Sequence, residues 1–313
     1  TYTSNALVTG DKITFVMISN ASCATVTNVV SNEIQMTVSS STPSVTIASS
    51  ATTICSGVSV TFTATSANGG SNPGYQWQVN GAVMAGETAA TFTTTSLNNG
   101  DKVTVVMTSN APCTTNPVAT SNEIIITVNP LPNVVITHPA GVCSPGTIDI
   151  TAAAVTAGSD AGLTFTYFTD AAATNVLSNP KAITAGGTYY IKGTTAAGCT
   201  SIKPILVTIN ALPNFMVTDP SAICAPGTVD ITAAAITAGS EAGLTFSYFT
   251  DASATNVLSN PSAVNTSGTY YIKAVTAFGC VTIKPVRVVI NALPTASITG
   301  SGAICRGDSK VLP

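Results

Sequence analysis

Charge is what this chain has least of. Ten Lys or Arg and thirteen Asp or Glu make up 7% of its 313 residues, against about a quarter in ordinary soluble domains. Hydrophobic residues account for 45%, so the shortage does not signal disorder, which requires low hydrophobicity or high net charge. The surface must therefore be covered by Thr, Ser, Asn and Ala, a composition that suits a secreted structural protein better than a cytosolic enzyme. The net charge is −3 and the basic residues are scattered singly, which excludes a surface that tracks a phosphate backbone or an anionic membrane. No apolar run approaches the roughly 18–20 residues that span a bilayer; Ile124-Ile125-Ile126 is typical. No helical stripe of useful length is present either. One histidine and one tryptophan complete the absences.

What is present is repetition. Residues 132–212 and 213–293 align at an offset of 81, with 55 of the 81 positions identical. Cys143 falls on Cys224 and Cys199 on Cys280; Thr188-Tyr189-Tyr190-Ile191-Lys192 falls on Thr269-Tyr270-Tyr271-Ile272-Lys273. A second pair aligns at an offset of 90, placing Gly10-Asp11-Lys12 on Gly100-Asp101-Lys102, Cys23 on Cys113, and Ser31-Asn32-Glu33 on Ser121-Asn122-Glu123. A fixed period marks an array of similar units. The expected division is the C-terminal part of a repeat at 1–43, complete repeats at 44–130, 131–212 and 213–293, and the start of another at 294–313. The chain thus reads as a window onto a longer protein, in which a signal peptide would not show, so export is read from the cysteines.

Each complete repeat is large enough for its own core. Period-2 alternation runs through them: Val58, Val60 and Phe62 with Ser59 and Thr61; Tyr75, Trp77 and Val79 with Gln76 and Gln78; Leu163, Phe165 and Tyr167 with Thr164 and Thr166, repeated at Leu244, Phe246 and Tyr248. Such strands bury one face and wet the other, as in antiparallel sheets. Short strands separated by turns such as Asn80-Gly81 and Asn98-Asn99-Gly100 predict sandwiches, and about seven strands fit each repeat, the immunoglobulin-like number. The expected fold is all-β, with tandem immunoglobulin-like antiparallel β-sandwiches. Asn129-Pro130-Leu131-Pro132, Asn210-Ala211-Leu212-Pro213 and Asn291-Ala292-Leu293-Pro294 punctuate the junctions. Linkers this short and Pro-containing are stiff, which predicts sandwiches arranged end to end as a rod.

No constellation carries chemistry. Trp77 lies mid-strand where immunoglobulin-like domains keep a core tryptophan, and Phe165 and Phe246 occupy about the same place, so all three read as core aromatics. Tyr189 and Tyr270 read as tyrosine corners, with hydroxyls bonded back to the backbone. His138 is replaced by Asp219 in the sister repeat and reads as a solvated loop residue; no catalytic residue, cofactor or metal is expected. Asp160 and Glu241 supply one acid each to matching loops, too few for calcium. Arg306-Gly307-Asp308 falls at the same turn as Ser144-Pro145-Gly146 and reads as a turn rather than an adhesive tripeptide.

The eight cysteines are the one strong pattern. One precedes the second strand of each repeat (Cys55, Cys143, Cys224, Cys305) and one follows the sixth (Cys23, Cys113, Cys199, Cys280). Their regular placement favours disulfides in an oxidising compartment, and their wide spacing disfavours zinc. In immunoglobulin-like topology the second and sixth strands run the same way, so the two cysteines of one repeat lie at opposite poles. By strand rise they are more than ~20 Å apart, whereas a disulfide needs Cα atoms within roughly 7 Å. That argues for bridges between neighbouring repeats, Cys55 to Cys199 and Cys143 to Cys280, with the partners of Cys23, Cys113, Cys224 and Cys305 outside these residues. Bridges within a repeat and free thiols remain the alternatives.

Tyr75-Gln76-Trp77-Gln78-Val79-Asn80-Gly81 with Leu97-Asn98-Asn99-Gly100-Asp101-Lys102-Val103 resembles the immunoglobulin-like and PKD-like repeats of very large Bacteroidota surface proteins. The 81-residue repeats, with Cys-x-Pro-Gly before a strand and Thr-Tyr-Tyr-Ile-Lys ahead of Gly-Cys, resemble related repeats near the sorting domains of such proteins. The resemblance implies export by the type 9 secretion system and roles as adhesins, including those of gliding motility, surface fibres, or stalks of exported enzymes. The expectation is a non-enzymatic structural repeat region at the bacterial cell surface. Its partners would be adjacent repeats and, through regions outside this window, other surface proteins; nucleic acid and direct membrane insertion are not expected. The alternatives are a polysaccharide-binding array, which needs two or three exposed aromatics per repeat, and spacer modules of an exported hydrolase.

Overall fold

A computed structural model describes residues 1–297 and 306–307. The fold is all-β: the described residues form twenty-four short strands and a single 3-10 turn, Ala153–Val155. They divide into two compact units. The first holds Thr1–Asn133 together with Asp160–Thr164 and Gly193–Ser201; the second holds Val134–Ser159, Phe165–Lys192 and the residues from Ile202 onward.

In the first unit, residues 44–130 form the fuller sandwich. One sheet orders Thr91–Thr94, Val60–Ala67 and Ser44–Ser49; the other is built on Lys102–Thr108, flanked by Gly74–Val79 and by Val118–Thr120. Alternation decides the core. Val60, Phe62 and Ala64 point inward from one sheet and Val103, Val105 and Met107 from the other, closing over Trp77 and Phe92. Trp77 is fully buried and its indole N–H donates to the Ala89 carbonyl at 2.9 Å. Its ring lies 5.6 Å from Phe92 and 6.1 Å from Phe62, a separation at which aromatic pairs add to area burial. Val58 departs from the alternation: it follows the Gly57 turn and is exposed.

Residues 1–43 reproduce part of this pattern. Lys12–Ile13 pairs with Ile34–Gln35 and Val16–Ile18 with Asn28–Val30. The ion pair Lys12–Glu33, at 2.9 Å, has its counterpart ninety residues on in Lys102–Glu123, also at 2.9 Å.

In the second unit, residues 213–293 centre on one three-stranded antiparallel sheet, Thr245–Phe249, Gly268–Val275 and Val281–Val288. The facing layer is thinner than the seven-strand expectation. It consists of extended segments joined by the Val229–Val264 bridge and by the Ile231 N–H bond to the Pro261 carbonyl. Asp230 explains its shortness. Its carboxylate takes both the backbone N–H and the hydroxyl of Thr232, a local turn that diverts the chain after Ile231. Asp149 and Thr151 do the same in the sister repeat. The layer still supplies Phe215, Val229, Ile231, Ile236 and Val264 to a core completed by Ile272, Ala274, Val286 and Val288. The sheet Thr164–Phe168, Gly187–Thr194 and Thr200–Val207 has the same order.

The thin layer changes the status of two aromatics. Phe165 and Phe246 pack against their cores but are only half-buried, unlike Trp77. Phe246 leans on Phe215 at 5.8 Å. Cys305, Asp308 and most of residues 294–313, where a further repeat is expected to open, lie outside the described residues.

Candidate functional site

The chemistry of this chain is concentrated in its cysteines, and two backbone devices place them. The first is a short parallel pairing at the end of each repeat. Thr53–Cys55 runs beside Thr127–Asn129, so that Cys55 sits opposite Asn129. Cys143 sits opposite Asn210 and Cys224 opposite Asn291 in the same way. The asparagine opens the linker, so this cysteine stands where the chain leaves its repeat. At Cys143 and Cys224 the Cys-x-Pro-Gly turn holds it there. Gly146 N–H donates to the Cys143 carbonyl at 2.7 Å, and a Cβ at Gly146 would meet that oxygen at the same distance, so only glycine fits.

The second device is a tight hairpin turn. Between Gly187–Thr194 and Thr200–Val207, Thr195 donates its N–H to the Cys199 carbonyl and receives the Cys199 N–H on its hydroxyl at 3.0 Å. Gly198, at φ +84°, makes the reversal without Cβ strain. Thr276, Gly279 (φ +83°) and Cys280 repeat the arrangement, with a Cys280 N–H to Thr276 hydroxyl distance of 3.1 Å. Both hairpin-tip cysteines are buried.

The structure brings the two kinds of cysteine together. Cys55 is bonded to Cys199 within the first unit, and Cys143 to Cys280 within the second; each pair has Cα atoms 5.5 Å apart. The bridges span 144 and 137 residues. They also interlace, because Cys143 lies inside the first span and Cys199 inside the second. Cys23, Cys113 and Cys224 are free and exposed. Cys113 differs from Cys199 in setting. It has φ +60° in a longer loop closed by the Ser109 N–H bond to the Pro117 carbonyl, and its own carbonyl accepts the Ser41 N–H.

The remaining singled-out residues have structural partners. Tyr189 donates its hydroxyl to the Ala185 carbonyl at 3.0 Å and Tyr270 to the Thr266 carbonyl at 2.9 Å, the corner geometry. His138 is exposed but not merely solvated: its Nδ1 accepts the Leu206 N–H at 3.0 Å. Asp219, eighty-one residues on, accepts the Arg287 N–H at 2.8 Å. Both latch the opening segment of their repeat to the edge of the last strand. Asp160 accepts the Asn133 N–H at 2.7 Å. Among the described residues no three His, Cys, Asp or Glu gather to hold a metal ion, and no described helix is long and apolar enough to cross a membrane. Arg306 and Gly307 lie exposed in a turn.

Some carboxylates are perturbed, each by its own loop. Side-chain and backbone bonds from Thr151 hold Asp149 below the usual carboxylate range, and Thr232 does the same for Asp230. Backbone N–H groups of Asn175 and Thr174 lower Asp170; Ser253, then Asn256 and Thr255, lower Asp251. Burial pushes the Tyr167 and Tyr248 hydroxyls up, with the nearby charges of Asp149 and Asp230 adding to the effect. These are folded turns rather than acid–base pairs. A cleft of about 420 Å³ in the second unit, between Leu212, Glu241, Leu244 and Phe278, likewise pairs no acid with a base.

Two polar side chains with structural roles escape a reading by residue type. Asn122 returns both bonds of a strand neighbour, accepting the Ile47 N–H at 2.8 Å and donating to the Ile47 carbonyl at 3.1 Å, and so ties the two sheets of 44–130. Asp101, buried, joins Asn80 and the Asn98 N–H, each at 2.8 Å. Their recurrence at Asn32 and Asp11 was the available signal; Asp11 accepts the Val8 N–H as Asp101 does that of Asn98.

No family model and no curated protein matches the chain. Solved multidomain structures do. The three N-terminal domains of the highly immunogenic outer capsid protein of bacteriophage RB49 are 13% identical over 81% of this chain and 100% of that one, with a TM-score of 0.29. Sidekick-1 immunoglobulin domains 1–5 are 11% identical over 84% and 63%, with a TM-score of 0.26. The insect immune protein hemolin is 9% identical over 79% and 77%, with a TM-score of 0.25. These likenesses carry no functional argument, and the assignment of tandem immunoglobulin-like sandwiches rests on the strands described above.

Proposed function

We propose that this chain is the repeat region of a secreted bacterial cell-surface adhesin or filament, and that its work is mechanical. Residues 44–130, 131–212 and 213–293 are its successive repeats, and the disulfides lock each to a neighbour so that the array works as a stalk or fibre. The observation that carries this reading is the interlacing of the bridges. Each joins the exit of one repeat to a hairpin of the next, and neither can extend without loading the segment they share. Disulfides also support an oxidising, extracytoplasmic setting, and the charge-poor Thr- and Ser-rich composition fits an exported structural protein.

A role in direct polysaccharide binding has less support. Phe278 is 76% exposed, but the sister repeat carries Ala197 at that place, so this exposed aromatic does not recur. Antibody raised against this chain should label intact cells of the source bacterium, and external protease should remove the label. Labelling only after permeabilisation would refute the surface role. Retention of the purified chain on insoluble polysaccharide would favour the binding array instead.

A further inference from the structure

Cys224 is free and exposed, yet its backbone setting matches that of two bonded cysteines. It pairs in parallel with Asn291 as Cys143 does with Asn210 and Cys55 with Asn129. The residue after each donates its N–H to that asparagine's carbonyl: Ala225 to Asn291, Ser144 to Asn210 and Ser56 to Asn129, all at 2.9 Å. Behind it, the Gly227 N–H bonds the Cys224 carbonyl at 3.0 Å, as Gly146 does for Cys143. Ahead of it, Asn291-Ala292-Leu293-Pro294 repeats Asn210-Ala211-Leu212-Pro213 residue for residue. In both filled positions the partner is a buried hairpin-tip cysteine, and in both it is preceded by glycine and held by a threonine four residues earlier.

We infer that Cys224 is a covalent docking site for the Thr-x-x-Gly-Cys hairpin of a further immunoglobulin-like repeat seated after Leu293. Cys224 and the incoming tip thiol form one S–S bond, giving up two protons and two electrons. A disulfide-class oxidant, such as a thiol oxidoreductase or oxidised glutathione, accepts the electrons and leaves as two thiols. Cys113 is not the complementary partner, because its wider loop lacks the Gly-Cys turn and its carbonyl is engaged by Ser41. The inference rests on the stalk reading only for its purpose: the bridge is a chemical result whether or not the array bears load.

The test keeps the whole chain and inserts a second copy of residues 213–293 between Leu293 and Pro294, which reproduces the native Leu–Pro step on both sides. After oxidation with oxidised glutathione, non-reducing peptide mapping should link Cys224 of the original repeat to the tip cysteine of the insert. Maleimide labelling of that Cys224 should fall more than tenfold from its level in the parent chain, and C224S in the original repeat should leave the inserted tip cysteine alkylatable. A parallel insertion of residues 132–212 repeats the measurement with the other hairpin. Unbridged tip cysteines in both insertions, or capture of Cys224 by Cys113, would overturn the assignment.

Discussion

Pulling on this chain should reveal a maximum length set by its covalent topology rather than by its number of residues. Between Cys55 and Cys280 the backbone contains 225 residues, which at ~3.5 Å each could extend to about 790 Å once unfolded. The two bridges offer a shorter route: Cys55 to Cys199, backwards along the chain to Cys143, then across to Cys280. Only 56 residues (199 minus 143) lie on it, so the oxidised protein should stop at about 200 Å over the same span. Single substitutions give intermediate limits that identify each bridge. With C143S the shortest route is the 81 residues from Cys199 to Cys280, about 280 Å. With C55S it is the 88 residues from Cys55 to Cys143, about 310 Å. Single-molecule force spectroscopy on a chain tethered at both ends, with and without dithiothreitol, reads all four values. An oxidised chain that extends by the full ~790 Å, or single variants no longer than the parent, would refute the interlaced connectivity.

Four further outcomes follow from particular contacts. Trp77→Ala should cost about 3–5 kcal/mol in urea unfolding of the first unit, because it empties a fully buried ring site and orphans the Ala89 carbonyl. Tyr270→Phe keeps the packing but loses the bond to Thr266, so its cost should be only about 1 kcal/mol by the same measurement. His138→Asp should leave the unfolding midpoint unchanged, because Asp219 already makes the equivalent backbone bond; a clear loss would show that the latch is specific to imidazole. Asp149, Asp170, Asp230 and Asp251 are held below their ordinary values in the folded chain, so their contribution is complete above the unfolded pKa of about 3.9 and is lost as pH falls through the folded values. The urea midpoint should be flat from pH 7 to 5 and drop below about pH 4, and D170N with D251N should weaken that drop.

The parts of this fold that rest on periodicity are legible in the sequence, and the parts that rest on local polar bonds are not. Alternation around Val60, Phe62, Val103 and Val105 identifies the core of residues 44–130 because each strand there is long enough to show its period. Val58 misleads because alternation continues into a turn that removes it from the sheet. In the 81-residue repeats the facing layer breaks where Asp149 and Asp230 fold onto Thr151 and Thr232. A carboxylate two residues before a threonine gives little warning of a shortened strand, so alternation alone indicates seven strands and sets Phe165 and Phe246 deeper than they are. The pole at which each cysteine sits depends only on strand direction, the most robust consequence of a sandwich. What strand direction does not reveal is the Gly-Cys turn that buries Cys199 and Cys280, or the backbone latch made by His138.

The central claim is that disulfides join successive repeats rather than close each repeat on itself. Non-reducing peptide mapping of the oxidised chain tests it most directly. Cross-linked peptides containing Cys55 with Cys199 and Cys143 with Cys280 are expected, with Cys224 open to alkylation. A peptide joining Cys143 to Cys199, or Cys224 to Cys280, would contradict it.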